Sequence, residues 1–468
     1  IVRYSRLETI RQYGCEKLEA SGELEHMRRR HLDYFLDFAQ QGDRESRGPH
    51  SLEWNRRMEV EHNNLRAALE YAFDAEGACD AVFRLSRAVG GFNGVWATGA
   101  YKEGYYWVEK ALAHPNALPR TVLRARLLSH SAVFDNSGPW EKQRSLYEES
   151  LAIYNGLGEA YRLERAFVLM WLGFKLCYQH GERENGTRYL EEALQIFEES
   201  EEKWGLGFAL NLYGGVIIEL DNDFNAAWAL AERGREVARQ AGEQFLIAIF
   251  DDNFGYYLVR NGHYKESQAY LERALEVYRQ FQVLAFACQT LKFLGDVARD
   301  LNDYRRAEAC YRESLAMVHD VGWPHYQALL CFFLGLTHLH CDNVDQAMAF
   351  FNEALDLSHQ EHSSKLIPFY ALDCLAAACA VRRNADVAAQ LFGAFDAQLD
   401  ALLAEGYTRH RLFDAIDTQT HEHFLSLARA QLDEVIFEQR WQEGRALTQE
   451  EAIELALATI GTLAPPAS

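Results

Sequence analysis

The chain of 468 residues has only 8 prolines, and most of them, Pro115, Pro119, Pro139, Pro324 and Pro368, fall at candidate helix ends. Proline inside a helix costs about 3 kcal/mol, so this scarcity suits a nearly all-helical chain. The nine cysteines include no C-x-x-C pair, which argues against a disulfide framework and for a reducing compartment. There is no signal peptide and no apolar run long enough to span a bilayer, so the expected location is the cytoplasm. Positive charge is short by 22, with 47 Lys and Arg against 69 Asp and Glu. An acidic surface repels a phosphate backbone, so neither direct nucleic-acid binding nor membrane association is expected. Chemistry-bearing motifs are missing too. The chain has no G-x-x-x-x-G-K-[ST] phosphate loop and no G-x-S-x-G nucleophile elbow, so it is not expected to be an ATPase or an enzyme of any kind, and no cofactor is expected. It begins at Ile1, not Met, and reads as part of something longer.

What the chain does have is a ruler. Ala193, Gly234, Ala274, Ser314 and Ala354 recur at 41, 40, 40 and 40 residues. Gly173, Gly214, Gly255, Gly295 and Gly335 recur beside them at 41, 41, 40 and 40. Two phase-locked series of small residues in a helix-rich sequence predict stacked helical hairpins. In residues 286–319, one amphipathic helix runs up to Asn302-Asp303 and a second follows. Gly295 lies mid-helix, where glycine costs about 1 kcal/mol relative to alanine. The predicted reason is steric: the paired helix crosses there. Ser314 serves the second helix in the same way, and Tyr304, Ala307 and Tyr311 are expected between the two. Aligning Leu146–Tyr154 with Tyr189–Phe197 places Ser150 on the ruler, W-V-E-K-A-L adds Ala111, and residues 366–395 read as a degenerate further unit.

A leucine–glycine pair, an aromatic after the turn, then alanine, a large apolar residue and a second alanine resemble the tetratricopeptide repeat. The expected fold is all-α, a right-handed superhelical solenoid of tetratricopeptide-like hairpins with a period of about 40 residues. A HEAT-like hairpin is the alternative, but it does not supply this order of glycine, aromatic and alanine. Such arrays are recognition surfaces, and the first helix of each hairpin lines the inner groove. Positions within about one turn of the glycine ruler are Met170, Phe174, Asn211, Asp252, Tyr256, Lys292, Asp296, Arg299, Phe332 and Leu336. They are the candidate groove for a peptide, protein or small-molecule inducer. The competing reading has Lys292, Asp296 and Arg299 simply pairing along one helix at i+4 and i+3.

A histidine-rich stretch is a further candidate: His338, His340 and Cys341, with His319, His325, His359 and His362 one helix away. Imidazole and thiolate bind zinc. However, His338 and His340 point to different faces of a helix, and no recognised ligand spacing is present. No metal site is expected.

The ends carry a second resemblance. Y-S-R-L-E-T-I-R-Q-Y-G-C-E-K-L and R-R-R-H-L-D-Y-F-L near the start are similar to the junction after the nucleotide-binding and winged-helix modules of bacterial signal-transduction ATPases with numerous domains, and E-V-E-H-N-N-L-R-A-A-L-E-Y-A over Glu59–Ala72 resembles the segment that opens their helical-repeat region. L-F-G-A-F-D-A and E-Q-R-W-Q-E-G-R-A-L-T-Q-E-E-A-I-E-L-A-L resemble the stretch that closes it. The resemblance implies a helical lead-in over 1–45, a repeat array over 46–395 and capping helices over 396–468. It also implies an upstream nucleotide-binding domain of the same chain that the array controls, as in large transcriptional regulators. A general scaffold for a peptide or protein partner is the alternative function.

Overall fold

The structure is a computed structural model describing residues 8–74, 79–90, 100–117, 119–135, 139–179, 181–321, 323–360, 366–405 and 415–461. Every regular element among the described residues is helical. Two compact units divide the chain. The first comprises Ile1–Leu176, Asn185–Leu206 and Gln240–Gln244. The second comprises Cys177–Glu184, Gly207–Arg239 and Phe245–Ser468.

The helices are α1 (Glu8–Ser21), α2 (Leu24–Glu45), α3 (Ser51–Asp74), α4 (Cys79–Gly90), α5 (Ala100–Leu112), α6 (Val122–Phe134), α7 (Trp140–Leu157) and α8 (Arg162–Cys177). There follow α9 (Arg183–Glu199), α10 (Lys203–Val216), α11 (Phe224–Ala241), α12 (Gln244–Arg260), α13 (Tyr264–Phe281), α14 (Leu284–Asp300) and α15 (Tyr304–Val321). The last are α16 (Pro324–Leu339), α17 (Val344–Gln360), α18 (Leu366–Val381), α19 (Ala385–Ala404), α20 (Ala415–Arg429), α21 (Glu434–Arg445) and α22 (Gln449–Gly461). Within each unit successive helices pack as neighbours. In the second, α16 also touches α18, the next-but-one contact that stacked hairpins require.

The ruler residues sit where steric reasoning puts them. Ala111, Ser150, Ala193, Gly234, Ala274, Ser314 and Ala354 are all buried on second helices. Four glycines of the other series meet their own second helix most closely, and Gly214 meets Tyr257 of the next first helix, α12. A methyl on Gly173, Gly214, Gly255, Gly295 or Gly335 would come closer than 3.0 Å to Gly186 O, the Tyr257 hydroxyl, Leu271, the Tyr311 ring or the Phe351 ring respectively. Of the three residues expected between α14 and α15, Ala307 and Tyr311 are fully buried and Tyr304 is half-buried. The two serines use their positions further. Ser150 Oγ donates to Ala125 O and Ser314 Oγ to Cys288 O, each at 2.7 Å, pinning a second helix to the first.

A third series is visible only in the backbone. Gly181, Asn222, Gly262, Asn302, Asp342 and Arg383 have positive φ and follow the first helices at 41, 40, 40, 40 and 41 residues. A left-handed residue satisfies the last carbonyls of a helix and reverses the chain, so one residue per repeat sets each hairpin. Arg383, between α18 and α19, makes residues 366–404 a further hairpin of the same kind. The first unit's core gathers Leu32, Phe35, Trp54, Leu65, Leu69 and Val108, with a second cluster around Tyr147, Tyr154 and Leu172. In the second unit Phe250, Tyr257, Leu271 and Tyr278 are buried, and one continuous cluster runs from Cys288 to Ala456.

Helix α19 runs through residue 395, so the boundary placed there by sequence falls inside an element. The closing helices pack directly on it. Gly393 and Gly444 lie at the crossing of α19 and α21, where an added methyl would meet the backbone of Trp441 and Gln390 respectively. Arg440 reaches Asp386 at 2.8 Å, Arg445 reaches Asp400 at 2.8 Å, and Trp441 Nε1 donates to Asp396 at 3.1 Å. A reciprocal capping box, Thr448 with Glu451, starts α22.

Candidate functional site

The predicted groove residues all lie on first helices, but most do not line an open surface. Met170, Phe332 and Leu336 are buried, exposed by 0 %, 1 % and 5 %, although Phe332 and Leu336 border a small recess beside Asp373 and Thr420. The glycine ruler marks the face where a first helix meets its partner, and one turn either way still includes that face. Phe174 is half-buried, edge-on to Trp171 at 6.4 Å.

The polar members form a ladder within the second unit. Asn253 on α12 donates to Asn211 on α10 at 2.7 Å. Tyr256 donates to Glu219, just beyond α10, and Arg260 donates to Tyr256 Oη at 3.0 Å and to Glu219 at 3.3 Å. Thr290 on α14 donates to Asp252 at 2.7 Å. Lys292 Nζ lies 2.7 Å from Asp296 Oδ2, and the Tyr311 hydroxyl donates to Asp296 Oδ1 at 2.6 Å. Lys292 and Arg299 both lie over the Phe333 ring of α16, at 4.6 and 5.2 Å. The i+4 pairing of Lys292 with Asp296 is therefore realised, in a buried setting. These side chains tie each first helix to the next, and Asp296 and Arg299 are too enclosed to form an accessible face. Burial pushes the Asp252 carboxyl up from 3.8 to about 7, against the Thr290 hydrogen bond and with help from Asp251.

The histidines are dispersed. His338 stacks on Phe350 with its Nε2 3.5 Å from Glu308, and His340 stacks on Tyr304 at 5.3 Å beside His423. Burial, Arg299 and His423 push His340 down to about 4. Cys341 and His325 are exposed. The side chain of His359, and all of His362, lie outside the described residues. Among the described residues no group of three or more His, Cys, Asp or Glu side chains is placed to hold a metal ion.

A cavity of about 560 Å³ lies elsewhere, wholly within the first unit. The first helices α4, α6 and α8 of three successive hairpins contribute Phe83, Phe134, Phe167 and Trp171. Helix α7 adds Tyr147 and Tyr154, α10 adds Trp204, α2 brings Asp43 and Arg44, and Arg47 follows in the turn after α2. The chemistry is aromatic wall plus guanidinium. Arg47 lies 4.7 Å from the Trp204 ring and 5.5 Å from that of Phe167, with Asp43 at 3.6 Å. Arg126 holds Glu164 at 3.0 Å, and Arg84 holds Asp80 at 2.7 Å. His130 Nδ1 is 3.2 Å from Arg126 O, with its ring edge-on to Phe83. Four arginines line the cavity against two carboxylates, Asp43 and Glu164, the reverse of the chain's overall balance. Sequence reasoning missed it because the lining comes from α2 to α10, over 165 residues. The one local signal is on α8, where Leu163, Glu164, Phe167, Val168 and Trp171 share a helical stripe apart from Gly173.

Tetratricopeptide-repeat models match residues 246–318 and 328–360. The chain therefore contains tetratricopeptide repeats, and such repeats are interaction or sensing modules. Proteins named as HTH-type transcriptional regulators in Mycobacterium tuberculosis and Mycobacterium bovis are 28% identical over 254 residues, 52% of this chain. The match spans 27% of the length of those relatives. Among solved structures, a Rap protein complexed with competence and sporulation factor matches with a TM-score of 0.50 at 14% identity, over 81% of this chain and 99% of that one. A signal-transduction ATPase with numerous domains, carrying a tetratricopeptide-repeat sensor, from Pyrococcus horikoshii matches with a TM-score of 0.45 at 14% identity, over 68% of this chain and 49% of that one. No helix among the described residues is long and apolar enough to cross a membrane.

Proposed function

We propose that this chain is the recognition arm of a larger signalling ATPase of the transcriptional-regulator kind, and that it takes no catalytic part itself. A ligand or partner held by the first helices changes the balance between closed and open states of a nucleotide-binding domain upstream. It does so only through unequal affinity for the two states. The observation that carries the reading is the cavity: a basic, aromatic recess in a strongly acidic chain, built from the first helices of repeats whose general role is recognition. Similarity to HTH-type transcriptional regulators supports the regulatory context. A bare scaffold is less well supported, because the ladder along the second unit consumes the polar side chains that an open peptide groove would present.

The test is nucleotide turnover by the full-length gene product, compared with the same protein truncated before Ile1. The arm is expected to change turnover about tenfold or more, within the range of site-to-site couplings. Equal turnover in both proteins, or an upstream sequence with no phosphate loop, contradicts the proposal.

A further inference from the structure

Resting on the recognition-arm reading, we infer that the cavity of the first unit binds a small organic anion: a planar, apolar body carrying one acidic group. Size comes first. About 560 Å³ lies within the range of small-molecule sites and offers little room for a folded partner. The walls come next. Phe83, Phe134, Tyr154, Phe167 and Trp171 present ring surface from several sides, suited to an aromatic or alicyclic body.

Charge decides the rest. Arg84 and Arg126 are already held by Asp80 and Glu164, but a cationic ligand would still meet Arg44 and Arg47, and a neutral one would gain nothing from them. An anion is offered a prepared donor. The Arg47 guanidinium is held over the rings of Trp204 and Phe167, so little side-chain freedom remains to be lost on binding. Its contact with Asp43 is loose, at 3.6 Å, longer than the 2.7–2.9 Å of a good charge-assisted hydrogen bond. Glu202 also feels the Arg47 charge, but its carboxyl accepts from Gly205 N, so an incoming carboxylate or sulfonate can take up the guanidinium edge without breaking a tight pair. Arg44, in the last turn of α2 and exposed at the rim, adds attraction at the entrance. Arg126 is already engaged by Glu164 at 3.0 Å and serves the wall rather than the ligand.

Two dyes with one aromatic body separate charge from shape: 8-anilinonaphthalene-1-sulfonate and its uncharged counterpart N-phenyl-1-naphthylamine. Titrated into the 468-residue chain and followed by fluorescence, the sulfonate is expected to bind about tenfold more tightly, the scale of one charge-assisted contact. Arg47→Met is expected to bring the two affinities within about threefold by weakening the sulfonate alone. Arg44→Met, at the exposed rim where folding is not at stake, is expected to weaken the sulfonate about two- to fivefold and to leave the neutral dye unchanged. Arg312→Met, in an exposed pair with Glu308 on α15, is the control and changes neither. Equal affinity for the two dyes in the unmodified chain overturns the inference. So does a sulfonate preference that survives Arg44→Met and Arg47→Met. If Arg47→Met loses the native circular dichroism, the Arg44→Met result decides. The inference and the reading beneath it fail separately. Equal dye affinities remove the anion site, whereas unaltered nucleotide turnover on deletion removes the arm.

Discussion

The fold is specified at single positions where nothing larger than glycine or alanine fits. Gly335 is one such case, because an added methyl would lie within 3.0 Å of the buried Phe351 ring. Helix propensity alone favours Gly335→Ala by about 1 kcal/mol, and overpacking opposes it by about 1–3 kcal/mol. Urea unfolding is expected to show a net loss of stability. Gly156→Ala, on α7 with nothing within 4 Å, is expected to gain from propensity alone. A gain at both sites would contradict the close-approach account. Asp252 makes a different test. Its carboxyl pKa rises from 3.8 to about 7 on folding, chiefly through burial. Between those values the folded chain holds more protons than the unfolded one, so stability declines as pH rises through that window. Asp252→Asn keeps an oxygen to accept from Thr290 and is expected to flatten the decline and unfold later than the parent at pH 8. Identical pH slopes for the two proteins, measured by denaturant titration at pH 5 and pH 8, would remove Asp252 from the account. Such positions were unevenly legible in the sequence. The glycines and alanines declared themselves by period, since a steric demand repeated in every hairpin leaves a repeated residue. The fate of Lys292, Asp296 and Arg299 did not. A charged residue on a first helix reads alike whether it faces solvent or is folded over Phe333 of the next repeat.

At the scale of elements, the unit of construction is a hairpin closed by one left-handed residue. The residue types there vary, from Gly262 to Asn302 to Arg383, which hid this third ruler from a search by identity. The array is finished by packing rather than by polarity alone. Helix α21 crosses α19 with Gly444 against Gln390 and Gly393 against Trp441, backbone to backbone. This gives a physical reason for glycines in both closing motifs, which sequence likeness had set side by side without relating them. Backbone cannot yield as a flexible side chain can. Gly444→Val is therefore expected to lift α21 from α19. Hydrogen exchange should show loss of protection across α21 and α22, with α12 to α15 still protected. Unchanged protection of α21 would mean that the crossing is not what holds the cap.

At the scale of the molecule, the two units divide the roles. The second is stitched internally by its polar ladder and closed by the capping helices. The first carries the cavity. All but two of the groove residues expected from sequence, Met170 and Phe174, lie in the second, where the repeat signal is cleanest. Regular repeats spend their side chains on one another, whereas the cavity's lining is mixed, drawn from α2, from hairpins whose repeat signal is weak and from positions of α8 and α10 off the glycine ruler. A binding site assembled from non-repeating positions leaves no period to detect. The central claim is that this chain controls a switch encoded before it, and nucleotide turnover by the full-length gene product tests it most directly. Truncation before Ile1 is predicted to change the turnover rate about tenfold or more; a rate that stays the same, in a protein that still binds nucleotide, would contradict the account.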